Sequence, residues 1–131
     1  MTFLIVDDQV IIREALTLQL GTLYKGSLVR EAASGKECLK ILQTFKPDII
    51  FIDISMPEMN GIEVTLKALA LYPLQKIIAF SMNDNREMLN KSLKAGVQGY
   101  LLKTDDLKDY KVAVDTVYSG QVFISKNMMN N

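Results

Sequence analysis

Residues 49–61 read IIFIDISMPEMNG, and the fold turns on how this stretch is read. Ile49–Ile54 is the most hydrophobic run of the chain, yet Asp53 interrupts it near its end. An apolar run this short and β-branched, closed by a Met-Pro-Glu-Met-Asn-Gly turn, reads as a strand buried on both faces. A strand of that kind requires a parallel sheet with helices packed on each side. The flanking sequence supplies them. Going backward, strands are expected at 3–7 (FLIVD) and, more weakly, at 27–33 (SLVREAA). Helices are expected at 10–20, with Gly21 and Gly26 marking its exit, and from Ser34-Gly35 through Leu42, with Pro47 as its stop. Going forward, helices are expected at 61–71, 87–95 (with Gly96 at C′) and 107–118, and strands at 76–80 and 99–102; 122–125 reads as an extended tail piece.

Composition agrees with one globular domain. Of 131 residues, 49% are hydrophobic and 23% charged, so disorder is excluded. Fifteen basic residues balance fifteen acidic ones, which offers no field to attract nucleic acid or an anionic membrane. The chain has no histidine, which removes Ser-His-Asp and Cys-His chemistry and a phosphohistidine of its own. The single cysteine, Cys38, cannot form an internal disulfide and reads as a small buried hydrophobe. No apolar run approaches the roughly 20 residues of a membrane span, and the start lacks a signal peptide's basic region. A cytoplasmic protein without a membrane partner is the expectation.

Polar residues stand where strands end: Asp7 and Asp8, Asp53, Ser81 and Lys103. In an open α/β sheet the carboxyl ends of the strands form the ligand edge, so these five groups should converge there. Three close carboxylates repel, each pair by about 4 kcal/mol at an effective dielectric near 20. Lys103 supplies one compensating charge. Either a proton is retained or a second cation is needed, and the hard oxygen donors suit Mg²⁺ rather than zinc.

The paired acids after the first strand, the segment 53–61, Ser81 and Lys103 together resemble a response-regulator receiver domain of the CheY-like superfamily. The resemblance covers essentially the whole chain. It implies a flavodoxin-like, doubly wound α/β fold: a five-stranded parallel sheet of order 2-1-3-4-5 with five helices on both faces. Residues 1–125 would be the receiver, and 126–131 an unpacked tail or the start of a linker to an output domain absent from this chain.

The same resemblance assigns roles. Asp53 would be the phosphoacceptor, taking a phosphoryl group from the phosphohistidine of a sensor histidine kinase. Asp8, Asp53 and the Ser55 backbone carbonyl would ligate Mg²⁺ directly, with Asp7 acting through a metal-bound water. Lys103 and Ser81 would each meet a phosphoryl oxygen, and Ser81 with Tyr100 would form the switch that remodels the surface of helix four, strand five and helix five. Taken alone, Tyr100 is a half-buried strand aromatic and Asp8 a helix N-cap. Ser55 and Asn83 would flank the path of the hydrolytic water. Asp105 and Asp106 read as the opening of the last helix rather than as part of the acidic site.

Thr104 follows Lys103 where many receivers carry a proline, and Met82 follows Ser81 where a smaller residue is frequent. With residues 96–104 and 119–125, these features resemble receivers of LuxR/NarL-type transcriptional regulators. That subfamily implies phosphorylation-dependent homodimerisation and contact with DNA only through a further domain. No enzyme activity is expected beyond the protein's own phosphorylation and autodephosphorylation. A haloacid-dehalogenase-like phosphatase would need a second aspartate where Ser55 stands. The remaining alternative is a non-phosphorylated pseudo-receiver that serves as a protein–protein interaction module.

Overall fold

The structure is a computed structural model that describes residues 1–82 and 84–129. Strands and helices alternate in the order β1 (Thr2–Val6), α1 (Val10–Leu23), β2 (Leu28–Ala32), α2 (Gly35–Ile41), β3 (Ile49–Asp53), α3 (Gly61–Leu71), β4 (Lys76–Ser81), α4 (Arg86–Ala95), β5 (Gly99–Leu102), α5 (Leu107–Tyr118), β6 (Phe123–Ile124) and α6 (Lys126–Met129). All strand pairs are parallel and the sheet order is β2-β1-β3-β4-β5-β6. The flavodoxin-like order is thus present, with a correction. The sheet has six strands rather than five, because residues 123–124 pair with β5 instead of trailing away, and six helices are present among the described residues.

Strand pleating sorts the core into two layers. Phe3, Ile5, Phe51, Ile78 and Phe80 point one way, against α1 and α5 residues such as Leu20, Tyr110 and Val114. Phe51 stands at the centre of this layer, edge-on to Phe80 at 6.1 Å and stacked on Tyr110 at 6.2 Å. Leu4, Ile50, Ile52, Ala79 and Tyr100 point the other way, against Cys38, Val64 and Leu89 of α2, α3 and α4. Every residue of β3 is buried, as its unbroken apolar run requires.

Local chemistry sets most helix ends. Ser34, Asn60 and Asn85 accept the Glu37, Glu63 and Glu87 amides, and Asp106 forms a reciprocal capping box with Asp109. Gly96 closes α4 in the left-handed region, φ 114°. Two expected stops fail. Gly21 lies inside α1, which continues to Leu23, and the left-handed turn comes at Gly26 instead. α2 ends at Ile41, well before Pro47; the chain has already turned, and the Lys46 ammonium donates to the Leu42 carbonyl. The tail is also corrected. Residues 126–129 form a helical turn and Met128 is fully buried; residues 130–131 lie outside the described residues.

The chain steps outward from β1 to β2 and then crosses back to β3. This reversal leaves a crevice between the carboxyl ends of β1 and β3, the place where such folds bind ligands.

Candidate functional site

Three carboxylates meet in that crevice. Asp7 and Asp8 follow β1, Asp53 ends β3, and each offers an oxygen within 4.8 Å of the others. Asp7 is fully buried and Asp53 nearly so, while Asp8 is exposed. Asp8 does not cap α1: the N-cap is Gln9, and its amide donates to Asp7 Oδ1 at 2.8 Å. Asp53 Oδ1 accepts the Ser55 amide at 3.0 Å, which fixes the plane of the carboxylate. The Gly61 amide donates to the Ile54 carbonyl at 3.0 Å and ties the start of α3 to the end of β3.

Lys103 reaches in from β5. Its ammonium lies 2.7 Å from Asp7 Oδ2 and 3.4 Å from Asp53 Oδ2, with only 8% of the side chain exposed. Its amide donates to the Ser81 carbonyl at 2.8 Å, which places the ends of β4 and β5 side by side. Ser81, the last residue of β4, is buried, and its side chain is hydrogen-bonded with the fully buried Tyr100 hydroxyl. Tyr100 is therefore a core residue rather than a half-buried one.

Burial raises the Asp53 pKa above the usual carboxylate range; the Ser55 amide pulls it down, the Asp7 charge pushes it up, and Lys103 pulls it down. Three carboxylates face one ammonium, so the site carries up to two uncompensated negative charges. Asp8, Gln9, Asp53, Ser55, Met82, Asp84 and Lys103 line the open cleft, which measures about 470 Å³. Oxygens around an octahedral Mg²⁺ stand roughly 3–4 Å apart. The three carboxylates can approach that spacing with small side-chain rotations, so the donor set fits a hard divalent cation.

The structure thus brings together Asp7, Asp8, Asp53, Ser55 and Lys103, with Ser81 and Tyr100 immediately behind. Asn83 lies outside the described residues. Asp84 and Gln9 also wall the cleft but were not singled out from the sequence, because polar residues are ordinary in loops. Arg13 was missed too. It donates to the Asp7 carbonyl at 2.8 Å and pairs with Glu31 at 3.0 Å, bracing the end of β1. Of the two acids before α5, Asp106 is the helix cap, whereas Asp105 is buried and accepts the Leu102 amide. Among the described residues no helix is long and apolar enough to cross a membrane.

Comparison with known proteins bears on this arrangement. The family model for the response regulator receiver domain matches residues 3–115. Response regulator GacA of Pseudomonas aeruginosa is 31% identical over 122 residues, covering 93% of this chain and 57% of its own length. Oxygen regulatory protein NreC of Staphylococcus epidermidis is 31% identical over 129 residues, covering 98% of this chain and 59% of its own. The chain therefore spans under two thirds of these relatives. A two-component response regulator of the LuxR family from Aurantimonas sp. SI85-9A1 superposes with a TM-score of 0.93 at 26% identity, over 98% of this chain and 92% of that one.

Proposed function

The chain belongs to the response regulator receiver domain family, and from that premise we propose that Asp53 is its phosphoacceptor, served by Mg²⁺ and by Lys103. The observation that carries this reading is the excess of negative charge in the cleft: two buried carboxylates and an exposed one against a single buried ammonium. Asp7, Asp8 and Asp53 would hold the ion, with the Ser55 carbonyl as a further ligand. When bound, Mg²⁺ supplies the positive charge that offsets the carboxylates and incoming phosphoryl oxygens.

The remaining work falls to the chain. Asp53 attacks phosphorus as the P–N bond of a donor phosphohistidine breaks, and an acyl phosphate forms. The Ser55 amide on Oδ1 keeps the carboxylate oriented for in-line attack. Lys103, already beside Asp53 Oδ2, meets a phosphoryl oxygen without rearrangement. Ser81 donates to another and leaves Tyr100, so the state of Asp53 reaches the surface of α4, β5 and α5. Water later hydrolyses the acyl phosphate, and the protein catalyses nothing beyond these two reactions on itself.

The donor partner is a sensor histidine kinase, and the setting is cytoplasmic. Relatives named as regulators and roughly twice as long support an output domain after residues 126–131, acting on DNA, with homodimerisation controlled by phosphorylation. Intact-mass spectrometry after incubation with acetyl phosphate tests the central claim. One phosphoryl adduct that requires Mg²⁺ and is absent from Asp53→Ala is expected. No adduct on folded, Mg²⁺-saturated protein, with acetyl phosphate or a kinase donor, would favour the pseudo-receiver that acts only by binding.

A further inference from the structure

Residues 123–129 form a strap along one edge of the sheet. β6 sets Ile124 opposite Tyr100, and the Ser125 amide donates to the Tyr100 carbonyl at 2.9 Å. The turn that follows carries Met128 into the buried cluster that contains Leu89, Tyr100 and Leu102. Two polar ties hold it down. Asn127 Nδ2 donates to Asp105 Oδ1 at 2.7 Å, and Arg86 Nη2 of α4 donates to the Met128 carbonyl at 3.4 Å. Asp105 is itself anchored, since its Oδ2 accepts the Leu102 amide at 2.9 Å. The strap thus rests on α4, β5 and the turn after β5 together. It bears directly on Tyr100, whose hydroxyl shares a hydrogen bond with Ser81.

We propose that this strap reports occupancy of the Asp53 site: it is closed over the α4–β5 surface while Asp53 is free and released when Asp53 carries a phosphoryl group. This rests on the receiver reading above and adds the element that moves. The Ser81 hydroxyl has one proton, and a phosphoryl oxygen is a stronger acceptor than a phenol. Once Ser81 turns to the phosphoryl group, the Tyr100 hydroxyl loses that bond at a place with no solvent access. The ring must then shift, and with it the wall against which Met128 packs. Around Tyr100 the strap is the weakest piece. It is a two-residue strand and a single helical turn, whereas β4 and β5 are paired on both sides. Its release uncovers apolar surface from Leu89, Tyr100 and Leu102, so the present occupant of that surface is the chain's own residues 125–129.

Residue-resolved amide hydrogen exchange by NMR tests this, with beryllofluoride plus Mg²⁺ as the acyl-phosphate mimic. The expected result is exchange about fivefold faster or more at Ser125 and Met128, with β3 amides unchanged. Asn127→Ala, a change at an exposed residue, should speed the same amides without the mimic. Because coupling between two sites is reciprocal, it should also bind the mimic about fivefold more tightly. The proposal is overturned if the mimic shifts the Asp53 and Lys103 resonances but exchange at Ser125 and Met128 stays the same or slows. It is equally overturned if Asn127→Ala loosens the strap with no change in affinity for the mimic. Absence of any shift at Asp53 would instead remove the receiver reading beneath it, and the strap's role with it.

Discussion

Alanine at Gly61 would press directly on the strand that carries Asp53. Gly61 opens α3 in helical geometry, and a Cβ there would overlap the Asp53 carbonyl oxygen and stand 2.8 Å from the Ile54 Cα. Non-bonded carbons rest about 3.5–4.0 Å apart, so the start of α3 must withdraw by at least about 0.7 Å. The obstacle is backbone, which has no rotamer to yield. Overpacking of this kind costs about 1–3 kcal/mol. Alanine returns about 0.4–1 kcal/mol by restricting the unfolded chain. The net loss is about 1–2 kcal/mol, which at about 2.1 cal/mol/K per residue lowers Tm by about 4–8 °C for a chain of this size. The same withdrawal strains the Gly61–Ile54 hydrogen bond and misplaces Asp53, so labelling by acetyl phosphate should slow by about tenfold or more. Circular-dichroism melts and initial labelling rates of parent and Gly61→Ala measure both effects. A variant that melts within about 1 °C of the parent and labels at its rate would refute the claim that this close approach positions the site.

Three further perturbations follow from the same geometry. A folded-state pKa raised at Asp53 means that its favourable contribution is present below the ordinary carboxylate pKa and lost as pH rises through the folded value. Ion-free Asp53→Asn should therefore be about 1 kcal/mol more stable than the parent at pH 7 in urea melts, with the advantage shrinking toward pH 4; a variant no more stable at pH 7 would contradict this. Lys103→Met leaves Asp7 and Asp53 facing each other without their buried cation, at a cost of about 3–5 kcal/mol in Mg²⁺-free buffer. Added Mg²⁺ should restore more stability to this variant than to the parent, and an equal effect on both would count against the charge argument. Glu58, in the loop between Asp53 and α3, holds φ at 63°, so Glu58→Gly should raise stability by about 0.5–1 kcal/mol; a lower Tm would show that the glutamate side chain compensates for its backbone.

The framework was legible because burial on both faces writes itself as an unbroken apolar run: β3 is the clearest case, and α3 and α5 have the expected ends. The site was legible for a related reason. A charge at the end of such a run, as at Asp7, Asp53 and Lys103, breaks a pattern and draws the eye. Asp84 and Gln9 sit in loops, where a polar residue breaks nothing. Helix stops misread from Gly21 and Pro47 show the limit of punctuation: a glycine ends a helix only if the chain turns there, and a proline marks only the latest place where it can end. The rest depends on contacts distant in sequence. β6 exists because β5 offers an open edge, and Met128 is buried because α4 and β5 leave it a place; neither fact has a local signature.

Lys103 is the only one of the site's charged groups encoded in the last third of the sequence, and this has a consequence for biosynthesis. Asp7 and Asp53 leave the ribosome long before the ammonium that separates them. Until β5 has paired with β4, the crevice between β1 and β3 holds repelling carboxylates and no counter-charge from the chain. A truncated or half-folded polypeptide therefore presents the acceptor aspartate without the means to use it, and signalling competence becomes a certificate of complete folding.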